Sequence, residues 1–172
     1  MTDLVFETPS LQCRRWVTTD LDAIHAVYSD REAMRWVDDG EPITRAACEE
    51  WLRVTERNYA TRGYGMFALT DRERGEVVGF CGLVHPGNQP EPEIKYAFRR
   101  EVWGRGLASE AVPALLRHGA SLGMERIIAT VAPENVASRR VLEKAGLREI
   151  DRREDAEGTT LVYEWIAPAG RA

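Results

Sequence analysis

Trp103-Gly104-Arg105-Gly106-Leu107-Ala108-Ser109-Glu110-Ala111 lies between a run that reads as a strand, Glu93 to Phe98, and the strongest helical pattern of the chain. In that pattern, Arg105 to Leu122, the residues Leu107, Ala111, Val112, Leu115, Leu116 and Leu122 recur at helical spacing and make one apolar stripe, which Gly123 ends. Two glycines and an alanine at the strand-to-helix passage allow a ligand to approach the backbone closely. The N–H groups of a helix's first turn have no intrahelical partner and sit at the positive end of the dipole. The junction therefore reads as an anion site suited to a pyrophosphate, or as a plain glycine-rich turn. No G-x-G-x-x-G follows a strand and no G-x-x-x-x-G-K-[ST] occurs, so the usual dinucleotide and P-loop patterns do not apply. Pro113 falls inside the helix, where it frees the carbonyl of Ser109 and predicts a kink.

Downstream, Arg126 to Ala132 is a β-branched strand bounded by Pro133, and Asn135 to Ala145 reads as a helix with Asn135 as cap and Gly146 as stop. Two strands, Leu147 to Glu154 and Thr159 to Ile166, enclose a turn at Asp155 to Gly158. Upstream, Leu11, Cys13, Trp16 and Val17 read as a strand ending at the cap-type residues Thr18, Thr19 and Asp20. A helix over Asp20 to Ser29 sets Leu21, Ile24 and Tyr28 on one face. A second follows Pro42, with Thr44 as cap and Ala47, Trp51, Val54 and Tyr59 inward. Strands over Tyr64 to Leu69 and Val77 to Val84 flank the polar stretch Asp71 to Gly75, and the proline-rich His85 to Pro92 is a loop. This order predicts an α/β chain with a mixed central sheet and helices on both faces. It predicts one domain over residues 1–172, without internal repeats.

A length of 172 residues suits one domain, and 44% hydrophobic with 30% charged residues excludes a disordered or membrane-embedded chain. The formal net charge of -5 argues against recruitment of nucleic acid through Arg139, Arg140, Arg152 and Arg153. Three cysteines, Cys13, Cys48 and Cys81, without a C-x-x-C pair, suggest neither a disulfide framework nor a zinc site, and no metal is expected. The N-terminus lacks an apolar stretch of signal length, and the longest apolar run, Val77 to Val84, is too short to span a bilayer; a cytoplasmic protein is expected.

The stretch Pro133-Glu134-Asn135-Val136-Ala137-Ser138-Arg139-Arg140-Val141-Leu142-Glu143-Lys144-Ala145-Gly146-Leu147 sharpens this reading. Together with Trp103 to Ala111, it resembles the cofactor-binding half of the GNAT superfamily of N-acetyltransferases. Its wording is similar to that of the ribosomal-protein alanine acetyltransferase (RimJ/RimL-like) branch, with which Leu11, Arg14, Asp20 and Asp30 are compatible. The resemblance implies a mostly antiparallel sheet of six to seven strands with a splayed central pair. It divides the chain into an acceptor-side half, about 1–85, an acetyl-CoA-binding half, about 93–147, and C-terminal strands, 147–166. It also implies transfer of acetyl from acetyl-CoA to a primary amine by direct attack in a ternary complex. Gly104, Gly106 and Ala108, with Arg105 and Ser109, would grip the pyrophosphate. Trp103 stands where the family has Gln or Arg and is assigned no polar contact. The pantetheine arm would fill the gap between the strands matching Glu93–Phe98 and Arg126–Ala132. There backbone groups near Ala97 and Phe98 would hold the thioester, one N–H serving as oxyanion donor.

The same resemblance makes Glu93 the general base, acting directly or through water; a solvated strand-end carboxylate is the alternative. Many members carry a tyrosine as acid where this chain has Leu142. Ser138 resembles the branch's alternative donor near the sulfur, or is a second hydroxyl bonding the helix backbone. Asn135 would contact the pantetheine arm, or is simply the cap. His85 is a second candidate base, whereas His25 and His118 fall in helices and read as packed or solvated. Cys81 reads as a small buried hydrophobe, and Trp16, Trp51 and Trp165 as core. Trp36 is placed near an acceptor groove. Asp38, Asp39, Glu41, Glu49 and Glu50 point to a cationic acceptor, although a solvated helix face explains Glu49 and Glu50 equally. The acceptor classes are a protein N-terminus or a small amine such as a polyamine, amino acid or antibiotic. A non-catalytic CoA-binding or regulatory module is the alternative of a different kind, and the resemblance implies a homodimer through the last strands, which often mediate dimers in relatives.

Overall fold

The computed structural model describes residues 3–37 and 40–170. The strands are β1 (Leu4–Glu7), β2 (Leu11–Arg15), β3 (Met66–Asp71), β4 (Val77–Val84), β5 (Glu93–Phe98), β6 (Arg126–Val131), β7 (Arg148–Asp155) and β8 (Gly158–Ile166). The helices are α1 (Leu21–Tyr28), α2 (Arg31–Met34), α3 (Arg45–Arg62), α4 (Leu107–Ser121) and α5 (Val136–Lys144). One sheet runs in the order β1-β2-β3-β4-β5-β6-β8-β7, with every neighbouring pair antiparallel except β5 and β6. This is the expected mixed, mostly antiparallel architecture, with eight strands in place of six to seven.

The additional strand is β1, whose four residues are too few to show an alternation. Partnership with β2 makes it a strand, Phe6 facing Cys13 and Glu7 facing Gln12. The unexpected helix α2 is one turn long. Asp30 caps it by accepting from the N–H groups of Glu32 and Ala33, a local signal that periodicity does not report. Trp16 and Val17 lie beyond the end of β2, where Thr18–Asp20 turn instead into a short 3₁₀ helix.

Period-two alternation sorts the sheet residues onto two cores. On one face Phe67, Leu69, Cys81, Leu83, Ile127 and Ala129 pack with Leu115 and Leu116 of α4 and Leu142 of α5. On the other, Met66, Ala68 and Phe80 pack with Ile24 and Tyr28 of α1 and Cys48 and Leu52 of α3. Each fully buried leucine or isoleucine contributes about 1.5–3 kcal/mol.

Pro113 does not end the helix: α4 runs on through it from Leu107 to Ser121. The proline removes one backbone bond at a cost of ~3 kcal/mol. Burial of Ala111, Val112, Leu115 and Leu116 along the stripe around it offsets that loss. Gly119 lets α4 lie close to the sheet, for a Cβ there would stand 2.7 Å from the tip of Ile127. Gly79 does the same between strands, where a Cβ would meet the Ala97 carbonyl oxygen at 2.4 Å.

The centre of the sheet is split. Among the described residues, β5 and β6 have one registered pair, Glu93 with Ile128, where the Ile128 N–H donates to the Pro92 carbonyl at 2.9 Å. Beyond it the strands part. The far side of β6 is fully laddered to β8, from Arg126 with Ile166 to Val131 with Leu161.

Candidate active site

A cleft of about 670 Å³ opens where β5 and β6 separate, between the N-terminal turns of α4 and α5. Gly106 is the N-cap of α4 with φ 75°, and Gly104 before it has φ 79°. A Cβ at either position would meet nothing within 4 Å, so the left-handed backbone, and not crowding, asks for glycine. No side chain caps α4. Its first amides therefore face the cleft, which Gly104, Gly106, Ala108 and Ser109 line. This is a cradle into which an anion fits.

Arg105 does not join that lining. Its guanidinium turns to the buried carboxyl of Asp71, 3.0 Å away, at the end of β3. Asp71 also accepts from the N–H groups of Glu73 and Arg74, at 2.9 and 3.3 Å. The Glu73 bond above all holds its pKa below the ordinary value; burial opposes, and Arg105 and Arg74 add to the lowering. The Arg105 side chain is thus an anchor for the loop, set by a partner 34 residues away in sequence.

Glu110, one turn into α4, fixes the other side of the same helix end. Its carboxylate accepts from Thr8 Oγ1 at 2.6 Å, Ser10 Oγ at 2.9 Å and the Ser10 N–H at 3.0 Å. Burial pushes its pKa up, but these bonds outweigh burial and leave it below the usual carboxylate value.

The ladder between β4 and β5 decides which amides face the cleft. Arg99 N–H donates to the Val78 carbonyl at 2.8 Å, so Gly79 and Phe98 form a pair without mutual bonds. By antiparallel alternation, Ala97 exchanges its bonds with Phe80, while Tyr96 and Phe98 direct theirs toward the gap. Of the two residues expected near a thioester, Phe98 turns its backbone groups to the gap and Ala97 turns its own to Phe80. Trp103 needs no ligand for its polar group, because its indole N–H donates to the Phe98 carbonyl at 2.9 Å.

On α5, Asn135 is an N-cap whose side chain accepts from the Ser138 N–H at 3.2 Å, and both residues line the cleft. Leu142 is 1% exposed and belongs to the core. The Ser138 hydroxyl meets the hydroxyl of Tyr96 across the split at 2.6 Å, and Tyr96 lines the same cleft. Burial pushes the Tyr96 phenol up to about 12, although the bond with Ser138 acts the other way. Sequence reasoning passed Tyr96 over. The alternation of Ile94, Tyr96 and Phe98 reads as a core face, and a hydroxyl among core residues was the available signal.

Glu93 is 4% exposed, which removes the solvated reading. Its carboxylate accepts from Thr130 Oγ1 at 2.6 Å, and Thr130, rather than Glu93, lines the cleft. His85 lies elsewhere. Its Nδ1 faces the Gln89 carbonyl at 3.0 Å, so that nitrogen carries the hydrogen, and Nε2 accepts from the Tyr64 hydroxyl at 2.7 Å. Half-buried His118 sets its ring edge against Phe67, and burial lowers its pKa below the usual value. Cys81 is buried, 3.9 Å from Cys13 by sulfur, as a small hydrophobe.

Trp36 lines the outer cleft, 44% exposed, with the Arg35 guanidinium 4.8 Å over its ring. Asp38 and Asp39 lie outside the described residues. Glu41 pairs with Arg31 at 3.5 Å, and Glu49 and Glu50 are exposed on α3, away from the cleft lining. Arg139 bonds the Tyr163 hydroxyl and the Pro133 carbonyl, while Arg152 and Arg153 pair with Glu149 and Asp151. Among the described residues no three His, Cys, Asp or Glu side chains are grouped to hold a metal ion, and no helix is long and apolar enough to cross a membrane.

A family model described as "Acetyltransferase (GNAT) domain" matches residues 10–148. The chain is similar to the uncharacterized protein YkkB of Bacillus subtilis (strain 168), 38% identical over 101 residues that make up 57% of this chain and 59% of that relative. It is also similar to the uncharacterized N-acetyltransferase YoaA of the same organism, 30% identical over 150 residues, 84% of this chain and 83% of the relative. Its fold is similar to that of RimL, a ribosomal L7/L12 alpha-N-protein acetyltransferase solved in complex with coenzyme A, with a TM-score of 0.82 and 19% identity over 95% of this chain and 98% of that one. A split sheet with an uncapped helix end at its opening, and this family match over most of the length, agree: the chain belongs to the GNAT acetyltransferase family and is an N-acetyltransferase.

Proposed function

We propose that this N-acetyltransferase draws its acetyl group from acetyl-CoA and passes it directly to a primary amine bound beside it in a ternary complex, the α-amine of a protein N-terminus being the favoured acceptor. The observation that carries the cofactor reading is the cleft itself, a sheet opened at Glu93 and Ile128 and closed at its far end by the free amides of α4. Gly104, Gly106, Ala108 and Ser109 would hold the pyrophosphate by backbone, and Asn135 would border the pantetheine arm. The Phe98 N–H would meet the acetyl oxygen as negative charge develops on it. Bound acetyl-CoA supplies an activated thioester. Glu93 is proposed as the base, through Thr130: the threonine oxygen accepts the proton leaving the amine while its own proton passes to the carboxylate. The α-amine acceptor is favoured by fold likeness to a protein that acts on such an amine. Small amines are the competing class.

The test is calorimetric titration with acetyl-CoA and with desulfo-CoA, on the parent and on Gly106→Glu. Micromolar binding by the parent, lost in the variant, is the expected result. N-terminal peptides, polyamines and aminoglycosides are then compared for turnover, and turnover of the small amines alone would displace the N-terminal acceptor. A parent that binds neither cofactor would overturn the reading.

A further inference from the structure

Two hydroxyls that face each other across the split give the leaving group its partner. Ser138 is fixed in the first turn of α5, where its own N–H is taken by Asn135, and its Oγ lies 2.6 Å from the Tyr96 hydroxyl on β5. Both side chains line the cleft. Resting on the acetyl-CoA reading above, we infer that Tyr96 is a positioning residue that aims the Ser138 hydroxyl at the sulfur from which the acetyl group departs.

Each hydroxyl has one hydrogen to give and two lone pairs to receive. A phenol is the more acidic of the two and the better donor, so the short contact is Tyr96 O–H donating to Ser138 Oγ. That leaves the serine hydrogen for another acceptor, and the open direction is the cleft. Burial keeps Tyr96 protonated throughout the neutral range, with its pKa pushed up to about 12, so the arrangement does not invert near neutrality. The position also suits a developing anion, because the first turn of α5 presents the positive end of its dipole there. Leu142, where a tyrosine acid would sit by resemblance, packs in the core at the cleft wall and has no hydroxyl to offer.

In the transfer, the amine nitrogen forms a bond to the acetyl carbon and the carbon–sulfur bond breaks, its electron pair staying on sulfur. The proton lost by nitrogen goes to the base. Ser138 meets the new thiolate with a hydrogen bond and keeps its proton; the thiolate acquires one from solvent on release. An alkyl thiol of ordinary pKa, ~8.5, leaves readily as an anion once a donor faces it.

The experiment needs no acceptor. Coenzyme A is bound to the parent, Tyr96→Phe, Ser138→Ala and the double variant, and the bound thiol is titrated by its thiolate ultraviolet absorbance. The expected acid dissociation constant in the parent is about tenfold above that of free coenzyme A. Ser138→Ala removes the gain, Tyr96→Phe removes about half of it on a logarithmic scale, and the double variant matches Ser138→Ala. Desulfo-CoA, which has no sulfur, binds all four proteins within about twofold, as a purely structural role for Tyr96 would not allow. A bound thiol that titrates alike in the parent and in Tyr96→Phe overturns the inference while leaving the cofactor reading intact. Equal losses of desulfo-CoA and coenzyme A affinity in Tyr96→Phe overturn it as well. A parent that binds no coenzyme A overturns both.

Discussion

Leu142 shows how one residue closes one chemical route and supports the site by packing. It is 1% exposed in the core shared by α4, α5 and the sheet, and its side chain also reaches the cleft wall. Leu142→Ala is expected to cost about 2–5 kcal/mol through a residual cavity. The melting temperature checks it, at roughly 2–4 °C per kcal/mol for a chain of this size. The residues that could be assigned from sequence were those whose role is written in their own backbone. Gly104 and Gly106 need a left-handed conformation, and Asn135 is a cap four residues from a β-strand. The contacts that sequence did not show depend on distant partners. Arg105 is turned by Asp71 and Glu93 is bound by Thr130, contacts that span 34 and 37 residues and leave no local pattern.

At the scale of elements, α4 connects both functions of the fold, core and anion cradle, and its first turn is held by Glu110. Glu110 has a folded-state pKa below its ordinary value. On acidification the unfolded chain takes up that proton first, near its ordinary value of ~4.3, while the folded chain resists. The stability from Thr8 and Ser10 is therefore present above about pH 4.3 and is lost as pH falls through the folded value. Glu110→Gln should lower the melting temperature at pH 7, and the gap to the parent should narrow at pH 3. A gap that is constant with pH would refute the assignment. Two glycines separate flexible from rigid packing. A Cβ at Gly119 meets the movable tip of Ile127, whereas one at Gly79 meets the Ala97 carbonyl at 2.4 Å, which is backbone. Gly119→Ala also gains up to ~1 kcal/mol of helix propensity, so its melting temperature should stay within a few degrees of the parent's. Gly79→Ala should fall well below it and weaken coenzyme A binding, because the carbonyl that must shift belongs to the strand facing the cleft. Long amphipathic helices and alternating strands were legible in sequence, since their periods repeat. The one-turn α2 and four-residue β1 were not, because a single period is too short to distinguish from chance. The continuation of α4 past Pro113 reflects burial on the surrounding stripe, which local propensity does not include.

At the scale of the whole molecule, the order of strands follows from the chain, and the position of the split follows from pairing. The alternation of strands and helices implied a mixed sheet with two covered faces, and the two cores show it. That β5 and β6 touch once and then diverge is a property of the assembled sheet, and neither strand's composition encodes it. The split gives the molecule an inner margin in addition to the outer margins at β1 and β7. Backbone groups along that margin are as open to solvent exchange as those of an outermost strand, although they lie at the middle of eight. Amide deuterium uptake along β5 should therefore alternate with residue number: Ala97, bonded to Phe80, exchanges slowly, while its neighbours Tyr96 and Phe98 exchange quickly. Addition of coenzyme A should slow the fast pair and leave Ala97 unchanged, so a bound cofactor would behave, for the backbone, as a ninth strand.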